Sequence, residues 1–197
     1  MSGWAAFING VPGSGKSTLA RALGEELGLP VVSKDAIKEA LADALPTGLP
    51  TTGLGAIASE AMWSILGLMA GPVIVESFWF SGRDDRFFTA GLAEAGITDG
   101  VEVWCEATPA TTRDRFTTRP RHHAHSDAGR LDEWEVFCRE ARPMTGFPVV
   151  RVQTEQPVDT RALAKSLILP ANVLRPDVTT NANKPVPSTS ARATPAR

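Results

Sequence analysis

A chain of 197 residues makes one domain with a real core the expectation, and a hydrophobic fraction of 43% is ordinary for a globular protein. A formal net charge of −2 gives no electrostatic reason to expect nucleic acid or an anionic membrane as partner. The two cysteines, Cys105 and Cys138, stand at no metal-ligand spacing and read as reduced thiols; with no basic-then-apolar leader in view, a cytoplasmic protein is expected.

The apolar run Trp4–Ile8 predicts a first strand. It leads into Gly10-Val11-Pro12-Gly13-Ser14-Gly15-Lys16-Ser17, which meets the template G-x-x-x-x-G-K-[ST] at every fixed position. A helix follows over Lys16–Leu27, with Leu19, Ala20, Leu23 and Leu27 on one face, and it closes on Gly28 with Pro30 beyond. Strand, glycine loop and helix form the setting in which backbone N–H groups converge on a phosphate and the helix N-terminus adds its positive end. Val31–Ser33 reads as a short buried strand, and Asp35 as the cap of a helix carrying Ile37, Ala40, Leu41 and Leu45. Pro46–Gly55, with its prolines and glycines, reads as a loop. A helix over Ala56–Ala70 with Ile57, Ala61, Ile65 and Leu68 inward comes next. The most apolar stretch, Ala61–Val75, is broken by Gly67, Gly71 and Pro72 and is too short to span a bilayer, so no membrane partner is expected.

Val73–Glu76 is a continuous apolar run ending in an acid, as suits the middle of a parallel sheet. A helix within Asp84–Ala95 ends near Gly96, and Val101–Cys105 is the next strand. Thr108 and Pro109 form a good helix start, N-cap then first turn, and that helix carries Arg113, Arg115 and Arg119. Arg119–Arg130 reads as a loop or flexible lid, Asp132–Arg142 as a helix, Pro148–Val152 as the last strand and Pro157–Leu169 as the last helix. The tail from Arg175 is too poor in large apolar residues to offset its ordering entropy. The expected organisation is one domain over residues 1–170 with a lid around 113–130, and a disordered tail over 171–197. Strands alternating with helices argue for an α/β fold with a parallel sheet covered on both faces, and for a ligand at the carboxyl ends of the strands.

Beyond the loop, several strand ends offer chemistry. Residues Gly10 to Thr18 would cradle a nucleotide's phosphates, with Lys16 reaching them as a point charge and Ser17 ligating Mg²⁺ through its hydroxyl. Asp35, just past the second strand, is placed to take the proton of an attacking hydroxyl or to cap its helix, two compatible roles. Lys38 lies one turn on, either against the transferred or acceptor phosphate or as a surface lysine. Glu76 reads as the acid that holds Mg²⁺ through water or as half of a structural ion pair. Arg115 and Arg119, four apart, would share a helical face and stabilise transition-state charge, or form a solvated basic face; Arg121 and Arg130 are further candidates. Arg113 would reach adenine or pair with Asp114 or Glu106. His122, His123 and His125 do not form a closed metal-site pattern and suit lid contacts to phosphate better. Trp63, Phe78, Trp79 and Phe80 are mostly core candidates, with one of Phe78–Phe80, Trp79 above all, as a stacking surface for the acceptor. Thr154–Asp159 would wrap the adenine.

With these residues placed, the chain resembles the P-loop small-molecule kinases, more narrowly the AAA-type ATP-binding group similar to chloramphenicol phosphotransferase, zeta toxin and polynucleotide kinase. Gly10 to Thr18, Ser33-Lys34-Asp35-Ala36-Ile37-Lys38, Arg115 with Arg119, and Gln153 to Asp159 carry the resemblance. It implies a three-layer α/β/α fold around a five-stranded parallel sheet of order 2-3-1-4-5, ATP with Mg²⁺, and transfer of the γ-phosphoryl group to a hydroxyl of a small molecule. It implies Asp35 as base and Arg119 with Arg115 as lid arginines. The chain departs from it at Glu76, where many relatives carry Asp, and at Arg121-His122-His123-Ala124-His125, which lacks the Pro-Gly common in the narrower group. Rival expectations are a nucleotide-gated ATPase or switch, with Pro46–Gly55 as its movable segment, and a polynucleotide 5′-kinase, which would need a basic channel to Asp35.

Overall fold

In a computed structural model, residues 3–45, 50–120, 122–125 and 131–167 are described, Thr51 and Thr52 by backbone alone. The expected tail and part of the expected lid, including Arg121 and Arg130, lie outside these residues.

The elements run β1 (Gly3–Asn9), α1 (Lys16–Leu27), β2 (Val31–Ser33), α2 (Lys34–Ala44), α3 (Thr51–Leu68), β3 (Val73–Glu76), α4 (Asp85–Ala95), β4 (Ile97–Glu106), α5 (Pro109–Thr118), α6 (Leu131–Glu140), β5 (Val149–Gln153) and α7 (Thr160–Ser166). The strands form one parallel sheet of order β2-β3-β1-β4-β5, as the resemblance implies. β1 lies at its centre, and its side chains alternate between two cores. Ala6 and Ile8 join Leu19 and Leu23 of α1 and Leu163 of α7 on one face. Ala5 and Phe7 join Met62, Trp63 and Leu66 of α3 and Phe88 of α4 on the other. The pairing sets Ile8 opposite Glu76 and Asn9 opposite Trp104. β3 ends level with Ile8 and β4 runs two residues past the partner of Asn9, so the chain leaving β1 emerges beside the carboxyl ends of both neighbours.

Several expectations shift. Ser33, not Asp35, caps α2: its Oγ accepts from the Ala36 amide, which leaves Asp35 exposed in the first turn. β2 is an edge strand, so Val31 is exposed and only Val32 is buried. Ala42, rather than Leu45, is the buried residue of α2. α3 begins at Thr51, so the segment expected as loop is already helical there. Its inward face is Leu54, Ala58, Met62 and Leu66, while Ile57, Ile65 and Leu68 face out, Leu68 with 87% of its surface exposed. This helix is apolar nearly all round, so periodicity alone admits more than one face. Packing selects one: the Trp63 ring lies on Gly91 of α4, where a Cβ would stand 2.1 Å from it. β4 extends to Ile97 because its start pairs with Gly3–Ala5 past a register shift. Arg119 is the C-cap of α5, with extended backbone, so it does not share a helical face with Arg115. α7 is shorter than expected and is capped by Asp159.

Candidate active site

The phosphate loop follows the central strand, and its glycines are required by shape. Gly13 has φ +91°, and a Cβ on it would come within 2.2 Å of the Thr112 carbonyl oxygen. Gly10 has φ +142°, and its Cβ would lie 2.6 Å from the Cys105 carbonyl oxygen. Neither position admits a larger residue without moving backbone. Three contacts hold the loop. Asn9 Oδ1 accepts from the Gly10 amide at 2.8 Å, and the Trp134 indole N–H of α6 donates to the Pro12 carbonyl at 3.0 Å. The Thr154 hydroxyl is 2.6 Å from the Ser14 carbonyl and 2.9 Å from that of Glu106, joining the loop to the end of β4.

Asn9 and Glu102 form a buried polar network that sequence reasoning missed. Glu102 is fully buried; its Oε1 accepts from the Asn9 amide at 2.8 Å. Its Oε2 accepts from the Met144 and Thr145 amides and from the Thr145 hydroxyl, at 3.0, 2.9 and 2.8 Å. Asn9 Oδ1 also accepts from the Trp79 amide at 3.1 Å. One carboxylate thus ties the root of the phosphate loop to the chain after β3 and the chain before β5. An acid inside the apolar run Val101–Cys105 was the available signal, the same kind that marks Glu76.

At the open edge, Lys16, Ser17, Asp35, Lys38, Glu76 and Arg119 line a single cavity of about 220 Å³. Lys16 is buried, and its ammonium donates to the Val11 carbonyl at 3.2 Å and stands 5.7 Å from the centre of the Phe78 ring. Burial pushes its pKa below the ordinary lysine value, and the nearby Glu76 carboxylate chiefly opposes that shift. Glu76 is buried and accepts from two hydroxyls, Ser17 at 3.2 Å and Ser33 at 2.6 Å. Among the described residues Glu76 makes no salt bridge within 4.0 Å, and it acts on the Lys16 ammonium by charge at longer range. The Ser14 Oγ is buried with no hydrogen-bond partner among the described residues. Glycine-shaped backbone, a buried ammonium and an orphaned buried hydroxyl fit the phosphates of a nucleotide. A hydroxyl beside a carboxylate, Ser17 with Glu76, fits a hard divalent cation of the Mg²⁺ type.

Arg115 points elsewhere. Its guanidinium donates to the Thr154 carbonyl at 3.0 Å, and it lines a second cavity, of about 560 Å³, with Leu19, Thr154, Gln156 and Val158. Arg119 borders both cavities. Arg113 is exposed, and the expected partner Glu106 pairs instead with Arg151 and Gln153. Trp79 is 5% exposed and packs edge-on against Phe7 and Phe88, within the core. The rings that line the cavity are Phe78, Phe116, Trp134 and Phe137, while Trp79 lines a neighbouring space with Trp63, Phe78 and Phe87. The histidines turn toward α2. His122 Nε2 is 3.0 Å from Asp43 Oδ1, and His125 Nε2 is 2.8 Å from Glu39 Oε1. Asp43, His122 and His123 bring one ligand atom each within 4.8 Å of one another. The Ala124 amide, however, donates to His122 Nδ1 at 3.2 Å, so Nε2 is the protonated nitrogen and donates to Asp43.

The sheet order, the loop after β1 and the acid at the end of β3 define a P-loop NTPase of α/β/α build. A family model described as an AAA domain matches residues 6–143, and the chain belongs to that family. The resemblance to P-loop small-molecule kinases holds in the solved structures as well. A structure described as "a putative kinase" from Chloroflexus aurantiacus is 27% identical, with TM-score 0.71 over 84% of this chain and 96% of that one. The Mycobacterium tuberculosis APS kinase CysC, solved with AMPPNP and APS, is 18% identical, with TM-score 0.54 over 83% and 94%. The Deinococcus radiodurans tunicamycin resistance protein is 20% identical, with TM-score 0.54 over 84% and 92%. The search of curated proteins found no match. Among the described residues, no helix is long and apolar enough to cross a membrane.

Proposed function

We propose that the protein is an ATP-dependent phosphotransferase that moves the γ-phosphoryl group to a hydroxyl of a small molecule. The observation that carries this reading is the meeting of Lys16, Asp35, Glu76 and Arg119 in one cavity beside the glycine loop. An exposed carboxylate in the same cavity as the loop and its lysine supplies what a hydroxyl acceptor needs and a nucleotide alone does not.

The assignments follow from position. The loop Gly10 to Thr18 holds the phosphates, and Lys16 neutralises the charge that moves to the leaving oxygen. Asp35 accepts the proton of the acceptor hydroxyl as that oxygen bonds to the γ-phosphorus. The bond from the γ-phosphorus to its bridging oxygen breaks at the same time, and ADP leaves. Arg119, at the border of the two cavities, stabilises the equatorial oxygens; Lys38 orients the acceptor or the group in transfer. Ser17 and Glu76 would hold Mg²⁺, which when bound spreads charge over the β- and γ-oxygens. Arg115 and Thr154 to Val158 fit the adenine side, on the second cavity.

The test is a screen of sugars, nucleosides, antibiotics and oligonucleotides for acceptor-stimulated ADP release. At least one small hydroxyl compound should raise the rate well above basal hydrolysis. Stimulation by oligonucleotides alone would move the reading to a polynucleotide 5′-kinase. ATP binding with no acceptor effect anywhere would overturn the kinase reading in favour of a switch.

A further inference from the structure

The 220 Å³ cavity around Asp35 is small, but it opens into a second, larger space. Lys34, Lys38, Gly55, Ser77, Phe78 and Arg83 line both. The larger space, of about 570 Å³, is a groove that runs down between α3 and α4. Its walls follow the two helices turn by turn: Ala56, Glu60 and Trp63 on α3, and Phe87, Ala90 and Gly91 on α4. Small residues keep it open. Ala56 and Ala90 carry only methyl groups, and Gly91 lets the Trp63 ring sink to the floor, 4% exposed. Phe87 is 69% exposed on its flank, an aromatic surface left uncovered.

Charge along the groove is ordered. Lys34, Lys38 and Arg83 stand at the mouth, beside Asp35 and the loop. The Arg83 guanidinium is 5.4, 5.7 and 5.3 Å from the ring centres of Phe78, Phe80 and Phe137, and it pairs with Asp84 at 2.6 Å. Glu60 and Glu94 stand one to two helical turns further down, with Glu94 accepting from the Ser64 hydroxyl at 2.7 Å. Lysines at the mouth, with Arg83 held by Asp84, an aromatic middle and an acidic far end describe the complement of a single elongated molecule.

We infer that this groove receives the body of the acceptor. The acceptor is a hydroxyl compound with an apolar, ring-bearing body, and its far end carries an ammonium or other hydrogen-bond-donating group. The inference rests on the phosphotransferase reading for the hydroxyl end and on the groove alone for the rest. A compact polyol would fill only the polar cavity at Asp35 and leave the aromatic walls uncovered. A molecule with its hydroxyl at Asp35 and its ring against Phe78, Trp63 and Phe87 covers them, and the volume suits a ligand of that size.

Two measurements on the full chain with AMP-PNP or ATP separate this from its rivals. Ligand-detected NMR follows binding of 2-phenylethanol-type aryl alcohols, with and without a para amino group, against glycerol and xylitol. ADP release follows turnover of the same probes. Ala90 is exposed on α4 and lines the groove but not the cavity at Asp35, so Ala90→Phe fills the groove without altering a residue of that cavity. Aryl alcohols should bind at least tenfold more tightly than the polyols, the amino-bearing ones most tightly, and Ala90→Phe should weaken them at least tenfold with the KM for ATP unchanged. Binding that Ala90→Phe abolishes, without turnover of any probe, supports the groove as a binding site and overturns its assignment to the acceptor of phosphoryl transfer. Equal or better binding of polyols, or aryl-alcohol binding untouched by Ala90→Phe, overturns the groove; turnover of polyols would then leave the phosphotransferase reading standing.

Discussion

The two halves of the cleft are built differently. The donor half is nine consecutive residues, Gly10 to Thr18, held by the adjoining Asn9 and, from two distant parts of the chain, by Trp134 and Thr154. The half proposed to hold the acceptor has no such run. Asp35 and Lys38 come from α2, Gly55 from α3, Phe78 and Arg83 from the chain after β3, and Arg119 from the end of α5. A phosphate is the same in every nucleotide, so one backbone shape serves and its glycines admit no alternative. An acceptor is particular to its enzyme, and side chains on separate helices can change one at a time without disturbing the loop. The donor half should therefore be sensitive to small changes in fold, and the acceptor half to changes in chemistry.

The sharpest cut across that difference is Lys16→Ala. It removes the one buried cation of the loop, and kcat should fall by about 10²–10³ with weaker ATP binding as well, measured by acceptor-stimulated ADP release and calorimetry. Glu102→Ala comes next. It leaves the Met144 amide and the buried Thr145 amide and hydroxyl without their acceptor, and Asn9 Nδ2 with the Trp79 carbonyl alone, at 3.3 Å; each buried group so orphaned costs about 1–3 kcal/mol. A loss of roughly 3 kcal/mol or more in urea unfolding is expected, with Glu102→Gln milder because it keeps the volume. Thr154→Val removes the hydroxyl between Ser14 and Glu106, so a cost of about 1 kcal/mol and a KM for ATP raised about fivefold are expected, with the acceptor KM unmoved. Such separation would sharpen the contrast between halves; equal effects on both KM values would break it.

The smallest effect concerns the thiols. Burial pushes Cys105, behind the loop, up to about 12 and raises Cys138 as well. A raised thiol pKa means less thiolate at a given pH, so neither reacts fast. Cys138 is only half-buried and should react first with a thiol reagent as pH rises from 7 to 9, while Cys105 stays protected until the protein unfolds.

The donor half was legible because its motif is local: strand, glycines, lysine and helix all fall within about two dozen residues. The strand order came with the resemblance and matches the sheet found. Two kinds of information were not local. The inward face of α3 depends on a glycine 28 positions from Trp63, Gly91, which an apolar helix cannot announce. The Asn9–Glu102–Thr145 network depends on strands β1 and β4 being neighbours, so its members look unrelated along the chain. The acceptor side combines both difficulties. Asp35 was placed by its strand end, but the separation of Arg115 from Arg119 turns on where α5 stops, and that is set by backbone geometry at one residue.

Asp35→Asn, which keeps the size of the side chain but not its basicity, is the most direct test. ATP affinity and phosphoryl transfer are measured side by side on wild type and variant, with an acceptor that stimulates the wild type. The account predicts ATP affinity within about twofold of wild type and a kcat lower by about 10²–10⁴. Transfer at the wild-type rate by the variant would contradict it, as would a wild type that binds ATP like the variant and transfers to no acceptor at all.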